Sequence, residues 1–87
     1  MYKFKNELKW YVDDNYLELF HPIDNCIIKI TYPSIAKLWG LMLKSSLIGD
    51  VLSNLDSQDE IRFIKSLYKS LYKRNYLLLE NEELFFE

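Results

Sequence analysis

Two hydrophobic periods divide this chain. Up to Thr31 apolar residues tend to recur at every second position; beyond Pro33 they recur three and four apart. Met1 to Asn6 is polar and predicts a frayed end. Leu8 to Val12 alternates loosely and is β-prone through Trp10, Tyr11 and Val12. Asp13-Asp14-Asn15 predicts a turn, because Asp and Asn tolerate left-handed geometry and bond their own backbone. Tyr16 to Phe20 predicts a second strand, with Leu17 and Leu19 on one face and Glu18 on the other. His21 to Asn25 is the next turn. Cys26 to Ile30 predicts a third strand, with Cys26, Ile28 and Ile30 facing one way and Ile27 and Lys29 the other. Loops this short make an antiparallel meander and leave the third strand at an edge.

Helical spacing follows. Pro33 suits a first helical turn, where its missing N–H costs nothing. Ile35, Leu38, Trp39 and Met42 then fall on one stripe. Ser45-Ser46 breaks the pattern and can cap a second helix carrying Leu47, Ile48, Val51, Leu52 and Leu55. Ser57 and Glu60 form a capping box that opens a third helix from about Gln58 to about Arg74. Its core side is Ile61, Ile64, Leu67, Tyr68 and Leu71, and Arg62, Lys65, Lys69 and Lys73 run beside it. Tyr76 to Glu87 predicts a small hairpin or a strand.

The resulting fold class is α+β: a three-stranded antiparallel β-meander followed by three α-helices of about 10, 9 and 17 residues, in winged helix-turn-helix proportions. At 87 residues this reads as one domain with its core over about 8–79 and an acidic, aromatic tail over 80–87. Two Gly and two Pro argue against a loop-rich chain. A net charge of −2 disfavours nucleic acid as the main partner, since neutralising phosphates takes clustered Lys and Arg. One cysteine cannot form an internal disulfide, which makes the cytoplasm the expected compartment. No apolar run approaches membrane-spanning length, so no membrane association is expected.

Nothing in this pattern suggests catalysis. His21 is the single histidine, without a second His or Cys for a metal, and reads as structural or solvated. Cys26 reads as a small buried hydrophobe rather than a reactive thiol, since no basic cluster accompanies it. Asp13-Asp14 and Glu82-Glu83 read as turn formers, and there is no phosphate loop or nucleophile elbow. No cofactor or metal is expected. Seven tyrosines and Trp10 could stack single-stranded bases, but filling a small core explains them better. The Arg62/Lys65/Lys69/Lys73 stripe is either a solvated face or a site for an anionic partner. No acid interrupts it in an otherwise acidic chain.

Strand, Asp/Asn turn, strand, turn and strand lead to a helix with Ala36-Lys37-Leu38-Trp39, a short Ile-x-x-Val-Leu helix and a long last helix. This succession resembles the PqqD-like precursor-peptide recognition elements of ribosomally made, modified peptides (RiPP recognition elements). Ile35 to Met42 looks like the family's first helix and Leu47 to Leu55 like its second. The run from Ile64 through Leu67 and Leu71 to Asn75-Tyr76-Leu77 looks like its ending. The likeness covers about Leu8 to Leu79. It departs at Thr31-Tyr32-Pro33, where the family has Asn, and at Asn75, where Gly is common, although Asn also adopts the left-handed geometry that ends a helix.

The resemblance implies a non-catalytic domain that captures a precursor's leader peptide by β-strand addition and delivers it to a separate peptide-modifying enzyme. Cys26, Ile27, Ile28, Lys29 and Ile30 would supply backbone ladder bonds in a groove against the third helix. Arg62, Lys65, Lys69 and Lys73 would meet leader acids. Two other readings stand beside it: a winged-helix DNA-binding transcriptional regulator, and a structural module that homodimerises strand to strand.

Overall fold

The structure is a computed structural model describing residues 1–80. The chain is α+β, and its contacts cluster into two compact units. One holds Asn6–Lys44, and the other joins Met1–Lys5 to the chain from Ser45 onward.

The first unit contains a three-stranded antiparallel sheet ordered β2(Lys9–Val12), β3(Tyr16–His21), β4(Cys26–Thr31), followed by α1(Ile35–Lys44). The turn over Asp13-Asp14-Asn15 forms as expected: Asp13 N–H donates to the Tyr16 carbonyl at 2.8 Å, and the Asp13 carboxylate accepts from Asp14 N–H at 2.6 Å. The second turn closes through Asn25, whose φ of 53° is left-handed and suits Asn. Leu17 and Leu19 are fully buried, and α1 packs against β2 and β3. The α1 stripe is the expected one, with Ile35, Leu38, Trp39 and Met42 all buried. Trp39 meets the Trp10 ring edge-to-face at 5.8 Å.

Two expectations need correction here. Pro33 lies in a turn before α1 rather than in its first helical turn. Ile35 N–H donates to the Tyr32 carbonyl at 3.2 Å, with Ser34 between them at φ 61°. Pro followed by a positive-φ residue is the preference of a β-turn. Cys26 is exposed, not buried. Its face is as expected, but it opens an edge strand beside a loop, so neighbours flank it on one side only.

In the second unit the N-terminal segment is a strand rather than a frayed end. β1(Tyr2–Phe4) pairs antiparallel with β5(Leu77–Leu79), Tyr2 opposite Leu79 and Phe4 opposite Leu77. Tyr2 is buried and meets Tyr68 edge-to-face at 5.1 Å, which ties β1 to α3(Gln58–Lys73). β5 realises the strand expected within Tyr76 to Glu87; the rest of that stretch lies outside the described residues.

The helices here follow their end signals with one exception. α2(Ile48–Ser53) is shorter than expected, and Leu47 rather than a serine stands at its start without a side-chain cap. It stops early because the Ser53 hydroxyl and Asn54 side chain both donate to the Asp50 carbonyl, competing with the helical ladder. The capping box opens α3: Glu60 N–H donates to Ser57 Oγ at 3.1 Å. The Glu60 carboxylate reaches back one residue further, to Asp56 N–H at 3.3 Å. α3 closes on Asn75 at φ 65°, with Tyr76 N–H donating to the Leu71 carbonyl and Asn75 N–H to that of Tyr72. This pair of bonds is the Schellman pattern, with Asn in the usual glycine place.

Candidate binding edge and its outer face

Within the meander β3 is central, so both β2 and β4 present an edge among the described residues. Which backbone groups an edge presents depends on the phase of the ladder. In an antiparallel pair alternate residues exchange both bonds with the partner, and the residues between them point away. The register pairs Tyr16 with Thr31 and His21 with Cys26 without a slip. Tyr32 N–H donates to the Asn15 carbonyl at 3.0 Å, one step outside that register. The bonded set is therefore Leu17/Ile30, Leu19/Ile28 and His21/Cys26. The N–H and C=O of Ile27, Lys29 and Thr31 point to the open edge. The first hairpin agrees, since the Asp13–Tyr16 bond directs Tyr16, Glu18 and Phe20 toward β2.

This sharpens the expected peptide-binding run. Of Cys26 to Ile30, only Ile27 and Lys29 have backbone groups free to pair outward, because those of Ile28 and Ile30 are spent on β3 and the Cys26 N–H donates to the Asp24 carboxylate at 3.2 Å. Thr31, absent from the expected set, joins them. By the same phase β2 offers only Trp10 and Val12, which makes its edge the shorter one.

Parity also settles the faces. Residues directly opposite in a ladder share a face, so Tyr11, Tyr16, Glu18, Phe20, Ile27, Lys29 and Thr31 stand together, away from buried Leu17 and Leu19. With Lys9 opposite Phe20, this outer face mixes charged and exposed apolar side chains: Tyr11 is 55% and Ile27 69% exposed. The Lys29 ammonium lies 4.3 Å from the centre of the Tyr16 ring, in cation–π contact, and the Tyr11 and Tyr16 rings stand 5.9 Å apart. The Tyr16 phenol is held above the ordinary tyrosine value, first by desolvation and then by Tyr11, Glu18 and Asp13. A shallow hollow opens among Lys9, Tyr11, Glu18, Phe20 and Ile27.

The other expected residues lie on α3, in the second unit. Arg62 and Lys73 are exposed, while Lys65 and Lys69 are half-buried along the flank of the apolar stripe. Arg62 pairs with Asp59 at 3.3 Å; both are exposed, so the pair contributes little. Of the nine expected residues, five are on β4 and four on α3, each set described within its own unit.

The remaining chemistry is sparse. His21 is 1% exposed, and its Nδ1 accepts the Ile23 N–H at 3.1 Å, a structural bond within the turn. Among the described residues no three His, Cys, Asp or Glu side chains gather in a way that could hold a metal ion. No described helix is long and apolar enough to cross a membrane.

No protein-family model, curated protein or solved structure matches this chain.

Proposed function

We propose that this protein is a peptide-binding domain of the PqqD-like kind, with a winged helix-turn-helix-like fold. It captures the leader of a ribosomally made precursor by strand addition to β4 and delivers it to a separate modifying enzyme. The observation that carries this reading is the β4 edge. It is six residues long and straight in register, with outward groups at Ile27, Lys29 and Thr31 and Lys29 as its only charge. Unprotected edges invite pairing with other chains, and natural sheets usually blunt them. An edge open among the described residues is suited to taking up an extended peptide, whose main chain supplies affinity and whose alternate side chains supply selectivity.

The α3 stripe fits the same reading. Arg62, Lys65, Lys69 and Lys73 would attract a leader rich in Asp and Glu, speeding encounter more than tightening the complex.

The test uses a leader peptide drawn from reading frames beside the gene. Ile27→Pro and Lys29→Pro each remove one outward N–H and leave the bonds to β3 intact; each is expected to weaken binding at least ten-fold. A folded Lys65→Glu/Lys69→Glu variant is expected to lose affinity at low salt and much less at high salt. Undiminished binding by folded Ile27→Pro and Lys29→Pro variants would remove β4 from the site.

The same basic stripe favours a second reading, in which α3 enters the major groove of DNA as a recognition helix. Retardation of duplex DNA at low salt, abolished by the Lys65/Lys69 reversal, would select it. A third reading, dimerisation edge to edge through β4, requires a sedimentation mass of two chains at micromolar concentration.

A further inference from the structure

The outer face of the meander is arranged in rows. Lys9, Phe20 and Ile27 are successive neighbours across the three strands, and Tyr11, Glu18 and Lys29 form the next row. A strand added to β4 extends both rows by one residue, because residues directly opposite share a face. Its residue opposite Ile27 adjoins an apolar side chain that is 69% exposed, at the rim of the hollow that Phe20 also lines. Its residue opposite Lys29 adjoins an ammonium that has no carboxylate within salt-bridge range among the described residues and lies on the Tyr16 ring instead. Glu18 already stands on the inner side of Lys29, so an acid on its outer side would continue an alternation of charge.

We infer that β4 reads a two-point signature: an acidic residue opposite Lys29 and an apolar residue opposite Ile27, two positions apart on the captured strand. The inference rests on the strand-addition reading and names the peptide chemistry selected there. Direction follows from the ladder. Antiparallel bonds are perpendicular to the strands and slightly the more stable per residue. A strand running against β4 meets Lys29 before Ile27, so the signature reads acid-x-apolar from N- to C-terminus. The intervening side chain points to the opposite face and is read by neither residue.

Panning a phage-displayed library of random nonapeptides against the full chain tests this, followed by amide-shift mapping of the enriched peptides. The wild type is expected to enrich acid-x-apolar sequences. Replacing the acid by its amide, or the apolar residue by Ala, should each weaken binding roughly two- to five-fold. Lys29→Glu should switch the enriched acid to Lys or Arg. The double exchange Glu18→Lys/Lys29→Glu keeps opposite charges across the strands, so it should make the same switch in a chain that folds. Suppose instead that enriched peptides shift the Ile27, Lys29 and Thr31 amides but carry no such pair, or a pair unchanged by either variant. The signature is then overturned while the edge reading stands. Failure to enrich, or shifts confined to other elements, overturns both.

Discussion

The two faces of the meander are made from alternate residues of the same strands, yet they differ in kind. On one face Leu17 and Leu19 are fully buried and Trp10 meets Trp39. On the other, Tyr11 and Ile27 are more than half exposed, and Lys29 lies across Tyr16 without an ion pair among the described residues. The inner face stabilises the sheet. The outer face stays exposed. Because backbone phase and side-chain direction alternate together, the β4 residues that point N–H and C=O outward are the ones whose side chains stand on the outer face. A ligand that pairs with the edge therefore meets the outer face and not the core.

Neighbouring substitutions on β3 give the largest contrast. Leu19→Ala, at a fully buried position, is expected to cost about 2–5 kcal/mol in urea unfolding. Phe20→Ala, one residue on and half-buried, is expected to cost under about 1.5 kcal/mol. Equal losses would erase the distinction between the faces. Next in size is a proline pair on β4. Ile28→Pro removes an N–H that bonds to β3 and is expected to cost about 1–3 kcal/mol. Lys29→Pro removes only an outward N–H, as edge strands tolerate, and should leave the thermal midpoint nearly unchanged. The reverse order would mean that the ladder phase is shifted by one residue.

Much of this contrast is legible in the sequence, because it depends on local period. The alternation of Leu17 and Leu19 against Glu18, the α1 stripe with Trp39 and the Ser57/Glu60 cap each lie within a few residues, and the fold realises all three. β1 does not show in this way, and β5 shows only as a short apolar run without a partner. Three-residue strands carry almost no period, and their pairing joins opposite ends of the described chain. Cys26 shows the limit of alternation: parity assigns its face, but burial depends on how many strands flank it. The site was half legible. Tyr16, Glu18 and Phe20 could be placed on one face by counting. Which β4 amides point outward could not, because the phase is set by the Asp13–Tyr16 and Asn15–Tyr32 bonds at the strand ends.

The smallest expected effect is ionic. With its phenol raised above the ordinary value of about 10, Tyr16 holds its proton more tightly in the folded chain than in the unfolded one. Its contribution to stability is complete below that ordinary value and is lost as pH rises through the folded value. Absorbance titration should show a component above the ordinary value that is missing from Tyr16→Phe, and Tyr11→Phe should bring that component down. A Tyr16 at the ordinary tyrosine value would mean that the outer face is as wet as open solvent.

Hydrogen exchange along β4, with and without a bound peptide, tests the central claim most directly. The amides of Ile28 and Ile30 should be protected in both states. Those of Ile27, Lys29 and Thr31 should exchange freely in the unbound chain and become protected when peptide is added. Protection of Ile27, Lys29 and Thr31 in the free monomer, or their continued exchange at saturating peptide, would contradict strand addition at this edge.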